Sequence, residues 1–166
     1  MAERTGRELA GLAIMTLAGG ERLGRVDDVV FHTATGRITG FLVDTGGLLS
    51  KPRFLPAGQA QSLGADALTV PSADALQERS PAQGDPDEVS GKSLDGRPVL
   101  NEAGRALGKV ADILVDDQQM LVSLQLATGL LDNVLHGKPR LPVPTIKAIG
   151  KDSIVVPDTY DPKASQ

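Results

Sequence analysis

Few places in this chain of 166 residues could carry chemistry. Two glycine pairs, Gly20/Gly24 and Gly104/Gly108, resemble loops that cradle phosphate. Such loops work by opening a helix whose first N–H groups aim at the anion. Here each pair leads instead into an apolar, strand-like run, Val26–Phe31 and Val110–Val115. The glycines are therefore expected to shape turns. The doublets Asp27-Asp28 and Asp116-Asp117 would suit a cation or an acid–base pair. Neighbours on a strand point to opposite faces, however, so neither doublet can chelate as a unit unless a bulge intervenes. Asp28 and its equivalent Asp112 are expected to accept hydrogen bonds from backbone N–H groups near the turn. His32 and His136 are the only histidines and are not equivalent in the sequence. Each is expected to be a surface or hydrogen-bonding residue, and a two-histidine metal site with Asp44 or Asp132 is the remote alternative. No serine has both a nearby histidine and a Gly-x-Ser-x-Gly setting, so triad hydrolysis has no support. No catalytic, cofactor-binding or metal-binding residue is predicted.

The elements that would hold these residues are written twice. Gly20-Glu-Arg-Leu-Gly24-Arg-Val-Asp-Asp28 returns as Gly104-Arg-Ala-Leu-Gly108-Lys-Val-Ala-Asp112. A second anchor, Gly64-Ala-Asp-Ala-Leu-Thr-Val-Pro71, returns as Gly150-Lys-Asp-Ser-Ile-Val-Val-Pro157. Two anchors in the same order at nearly the same offset make chance unlikely. Between them lie short β-branched runs, hairpin chemistry at Thr33–Arg37 and a Leu-Pro pair at 55–56 and 141–142, which argues for strands joined by turns. The predicted fold is mainly all-β, two small antiparallel barrels in tandem with short helical turns. Repeat 1 is placed at 8–73 and repeat 2 at 92–158. Residues 74–91, rich in Pro, Gly and acids, read as a linker, and 159–166 as a tail.

Composition narrows the function. With three Phe, one Tyr and no Trp, aliphatic side chains must fill both interiors. The chain has no Cys, which removes disulfides and thiolate chemistry and suits a reducing cytoplasm. Its longest apolar run, Leu9–Ala18, is too short to cross a bilayer and lacks a signal-peptide layout. Net charge is −4, so a strong phosphate-binding surface is not expected. Arg22, Arg25, Arg37, Lys51 and Arg53 do gather in repeat 1, but acids interleave with them and stacking aromatics are scarce, so nucleic acid is an unlikely partner.

The repeated Gly-x-x-Leu-Gly-(Arg/Lys)-Val-x-Asp run, the strand ending in Asp44, the Gly46-Gly47-Leu48-Leu49 loop and Leu55-Pro56 resemble the PRC-barrel domain family. That family groups the cytoplasmic part of a photosynthetic reaction-centre subunit, the C-terminal domain of a ribosomal maturation factor and many stand-alone proteins. The resemblance implies docking to a partner protein and no shared catalytic residues. The two copies differ informatively. In copy two, Val122, Leu124 and Leu126 alternate with Leu121, Ser123 and Gln125, so the first set is expected inside. By alignment Phe41 and Val43 point inward and Ile38 and Leu42 outward, with an apolar residue at 42 where copy two has Gln125. That outer face calls for a cover: the sister barrel, a second chain or another protein. Ile38, Leu42, Leu48, Leu49, Leu130 and Leu131 form the candidate interaction surface. Gly20, Gly24, Asp28, Gly104, Gly108 and Asp112 are the structural turn residues. The expected function is a non-enzymatic, cytoplasmic, self-associating interaction or scaffold module without cofactors. The alternative is an RNA- or ribosome-linked accessory factor, suggested by family analogy alone.

Overall fold

The computed structural model describes residues 3–48, 51–79, 84–129 and 137–165. One segment plan is used twice. The first copy runs β1 (Arg4–Thr5), α1 (Gly6–Leu9), β2 (Ala13–Thr16), β3 (Arg22–His32), β4 (Ile38–Asp44), β5 (Arg53–Pro56), β6 (Ser62–Leu63), β7 (Ala67–Val70) and β8 (Gln77–Glu78). The second runs β9 (Glu88–Ser90), α2 (Gly91–Leu94), β10 (Pro98–Asn101), β11 (Ala106–Val115), β12 (Leu121–Ala127), β13 (Arg140–Pro142), β14 (Ala148–Ile149) and β15 (Ile154–Val156). Two strands, β8 and β9, thus fall inside the span read as linker.

The strands form two curled sheets, ordered β6-β7-β2-β3-β4-β5-β8 and β14-β15-β10-β11-β12-β13. Pairing is antiparallel as expected, except that β2 meets β7 and β10 meets β15 in parallel. The many residues separating each such pair supply the crossover a parallel pair needs. Three bulges recur at matching places. Leu23, Asp27 and Thr39 are the extra residues in copy one; Leu107, Ala111 and Val122 are their counterparts. Each bulge increases twist and bends the ladder, which curls a short sheet around its own core.

A bulge also moves every following side chain to the other face, and this corrects the sequence reading. Phe41, Val43, Leu124 and Leu126 do point inward and are fully buried. Val122, expected inside, is a bulge residue and only half-buried. Ile38, expected on the outer face, is 2% exposed because it lies beyond the Thr39 bulge. It is also at the junction of the repeats: its N–H donates to the Gln119 carbonyl (3.1 Å), while the Leu121 N–H donates to the Gly36 carbonyl (2.7 Å). The two hairpin tips clasp one another about a pseudo-twofold axis. Gly36 (φ 73°) and its equivalent Gln119 (φ 60°) both take left-handed backbone to do so.

The same axis relates a larger exchange. β1 pairs with β11 of the second sheet, and β9 with β3 of the first. Each repeat therefore lays its leading arm on the other repeat. The helix leucines Leu9 and Leu94 are fully buried, in one apolar cluster shared by both halves.

Candidate interaction surface

The duplicated carboxylates sit where the arms cross. Asp28 follows the Asp27 bulge and is 8% exposed. Its Oδ1 accepts the Val29 N–H (2.8 Å), and its two oxygens accept the Lys92 N–H at 3.2 and 3.1 Å, at the start of α2. Asp112 accepts the Ile113 N–H (2.8 Å) and, at 3.5 Å, the Arg7 N–H at the start of α1. The expected role as acceptor of backbone N–H groups thus falls at the helix of the opposite arm. The bulge that could have let Asp27-Asp28 chelate is present, but Asp27 turns to Lys92 Nζ (2.9 Å). Among the described residues no group of three or more potential metal ligands occurs. His32 Nδ1 accepts the Ala34 N–H (3.2 Å), and Asp44 Oδ1 the Gly46 N–H (2.9 Å). His136 and Asp132 lie outside the described residues, as do Leu49, Leu130 and Leu131.

Burial raises the Asp28 carboxyl above its ordinary value of 3.8, against the pull of the Val29 and Lys92 N–H groups and the Ser90 side chain. A raised acid stabilises the fold most below its unfolded value and loses that contribution as pH rises through the folded one. Asp28→Asn keeps an acceptor and has no such titration. Its stability relative to wild type is expected to improve as pH rises above the ordinary value of 3.8, in parallel urea melts. Asp28→Leu also leaves the Lys92 N–H unmet, and at low pH should cost about 1–3 kcal/mol, shrinking with rising pH as the Asn variant's disadvantage does.

The outer face of β4 shows how the halves diverged. In copy two, Arg140 pairs across from Gln125 and binds Ser123 Oγ (3.2 Å) and the Glu3 carboxylate of the incoming arm. In copy one the residue opposite Leu42 is Phe54, whose ring lies over Gly40. A Cβ on Gly40 would overlap that ring and stand 2.7 Å from the Leu55 carbonyl. The guanidinium is still present but comes from Arg79, 4.2 Å above the Phe54 ring and paired with Glu88 of the other arm. Where arm one brings Arg4, arm two brings Val89. The outcome is a recess of about 810 Å³ whose apolar lining is Val30, Leu42, Pro52, Pro86 and Val89, with Lys51, Arg79, Asp85, Glu88 and Ser90 also lining it. Leu42 is half-buried in its wall, and Leu48, shortly before Lys51 in the chain, is fully exposed. Phe54, Arg79 and Val89 were not singled out from the sequence. The alignment of Phe54 with Arg140 was the available signal.

Two curled sheets of one plan, bulged alike and joined by crossed arms, define a tandem β-barrel protein. The family model of the PRC-barrel domain matches residues 1–77 and again 86–162, and the chain belongs to that family. No curated protein matches it. No helix among the described residues is long and apolar enough to cross a membrane.

Proposed function

We propose that the chain is a non-enzymatic docking module of a reducing cytoplasm that self-associates through the outer face of repeat 1. One observation carries this reading. At positions related by the pseudo-twofold, the outer face of repeat 1 has Leu42 and Phe54 where repeat 2 has Gln125 and Arg140, and Val89 of arm two stands where arm one has Arg4, whose guanidinium is drawn away to the Leu63 and Gly64 carbonyls. Both copies tie the incoming arm with an arginine–glutamate pair, Arg140–Glu3 and Arg79–Glu88, but beside the pair in repeat 1 Val30, Leu42 and Val89 line a recess. Leu48, 104% exposed, precedes Lys51 of the recess lining by three residues in the chain. A projecting leucine so near in the chain to such a hollow is self-complementary about a twofold axis, as a symmetric dimer requires. Ile38 drops out of the surface because the sister hairpin already covers it.

Leu42→Asp and Leu48→Ser should each weaken self-association about tenfold or more, since an anchor in such a pocket carries over a kcal/mol. Sedimentation across a concentration series, with circular dichroism to show an unchanged fold, reads the effect. A wild-type chain that stays monomeric, or variants that associate as wild type does, would refute the assignment.

A further inference from the structure

The crossed arms share a pattern: Thr5-Gly6-Arg7-Glu8-Leu9 and Ser90-Gly91-Lys92-Ser93-Leu94. Each feature of Ser/Thr-Gly-(Arg/Lys)-x-Leu is read by the receiving repeat or by the fold the arm adopts there. The hydroxyl accepts the N–H three residues on, starting the helical turn. Glycine is required because a Cβ at Gly6 would stand 2.8 Å from Asp112 Oδ1 and 2.9 Å from Ile113 Cγ1. At Gly91 a Cβ would stand 3.0 Å from Ile113 Cδ1 and 3.2 Å from Asp28 Oδ1. The basic residue gives its N–H to the repeat's aspartate, and its side chain finds Asp112 (Arg7) or Asp27 (Lys92). The leucine is wholly buried in both.

Each repeat is therefore a receptor for a short segment, and the chain carries two copies of the ligand. The seats differ in tightness. Arm one makes a two-residue strand and a 3.5 Å N–H contact with Asp112; arm two makes a three-residue strand and contacts of 3.1–3.2 Å with Asp28. We infer that the Asp112 cleft of repeat 2 also binds the Thr5–Leu9 arm of a second copy of this chain, so that two chains exchange arms. This surface is separate from the Leu42 recess, and Leu42→Asp leaves it intact. The peptide assay therefore reads this surface alone, whereas sedimentation of the full chain reports both surfaces together.

The test uses a fluorescent peptide of residues 3–12 and the full chain. Gly6→Val in the chain expels its own arm, so the peptide should bind that variant at least tenfold more tightly than wild type, where the tethered arm competes at about millimolar effective concentration. A peptide carrying Leu9→Asp should bind neither. Absence of peptide binding to the folded Gly6→Val chain, or equal binding of the Leu9→Asp peptide, overturns the inference. Should Gly6→Val not fold, cysteine trapping decides, since the native sequence has no Cys. Arg4 and Val115 face one another across β1 and β11. A chain with both Arg4→Cys and Val115→Cys should close internally. A mixture of the two single variants should give an interchain disulfide; if the double variant closes and the mixture never joins, exchange between chains is refuted.

Discussion

Alanine at Gly24 or Gly108 is expected to lower the melting temperature by about 6–12 °C, the equivalent of about 3 kcal/mol in a chain of this size. At Gly24 a Cβ would overlap the Asp44 carbonyl oxygen and lie 3.1 and 3.2 Å from Asp44 C and Thr45 Cα. At Gly108 it would lie 2.8 Å from the Ala127 carbonyl oxygen. Both obstacles are main chain of the neighbouring strand, which cannot swing aside as a side chain could. The companions Gly20 and Gly104 make a useful contrast. They take left-handed φ of 65° and 82° but have open space around them, so alanine there should cost about 1–2 kcal/mol. Thermal melts of the four variants separate the two roles. Equal losses at all four positions would show that strand approach is not what the second glycine of the motif serves.

Leu94→Ala and Leu9→Ala should each cost about 2–5 kcal/mol, because each removes a fully buried side chain from a cluster that spans both repeats. The shape of the transition is as informative as its midpoint. Each leucine sits on a helix that contacts both β3 of the first repeat and β11 of the second, so the halves should melt together in wild type, in one transition seen alike by probes in either repeat. Leu94→Ala should shift that transition without splitting it. Two separated transitions in wild type would mean that the crossing contributes little to cooperativity.

How much of this was legible beforehand follows from the range of each interaction. The motif around Gly24 and Gly108, the hairpins and the closing strands are local patterns, and they gave the duplicated β architecture directly. The inward Phe41 and Val43 were readable from alternation. Alternation failed at Ile38 and Val122, because an extra residue at a bulge leaves no local mark in composition. The arms were missed for another reason. A two-residue strand such as Arg4–Thr5 finds its partner 110 residues away at Leu114 and Val115, and nothing in five residues names a partner. The candidate surface was half legible. The Leu42–Gln125 difference marks the face on which the recess lies, whereas Phe54, Arg79 and Val89 converge there from three separate strands and their flanks.

Two identical polypeptides, each holding one repeat, would be forced to present the same outer face twice. Fusing the halves frees them from that constraint: one face sets Arg140 across from Gln125, while the other sets Phe54 across from Leu42 beside a largely apolar hollow. If that face pairs as proposed, one chain offers it once rather than twice, and assembly through it closes at two chains. The covalent join would then hold the valency of that face at one.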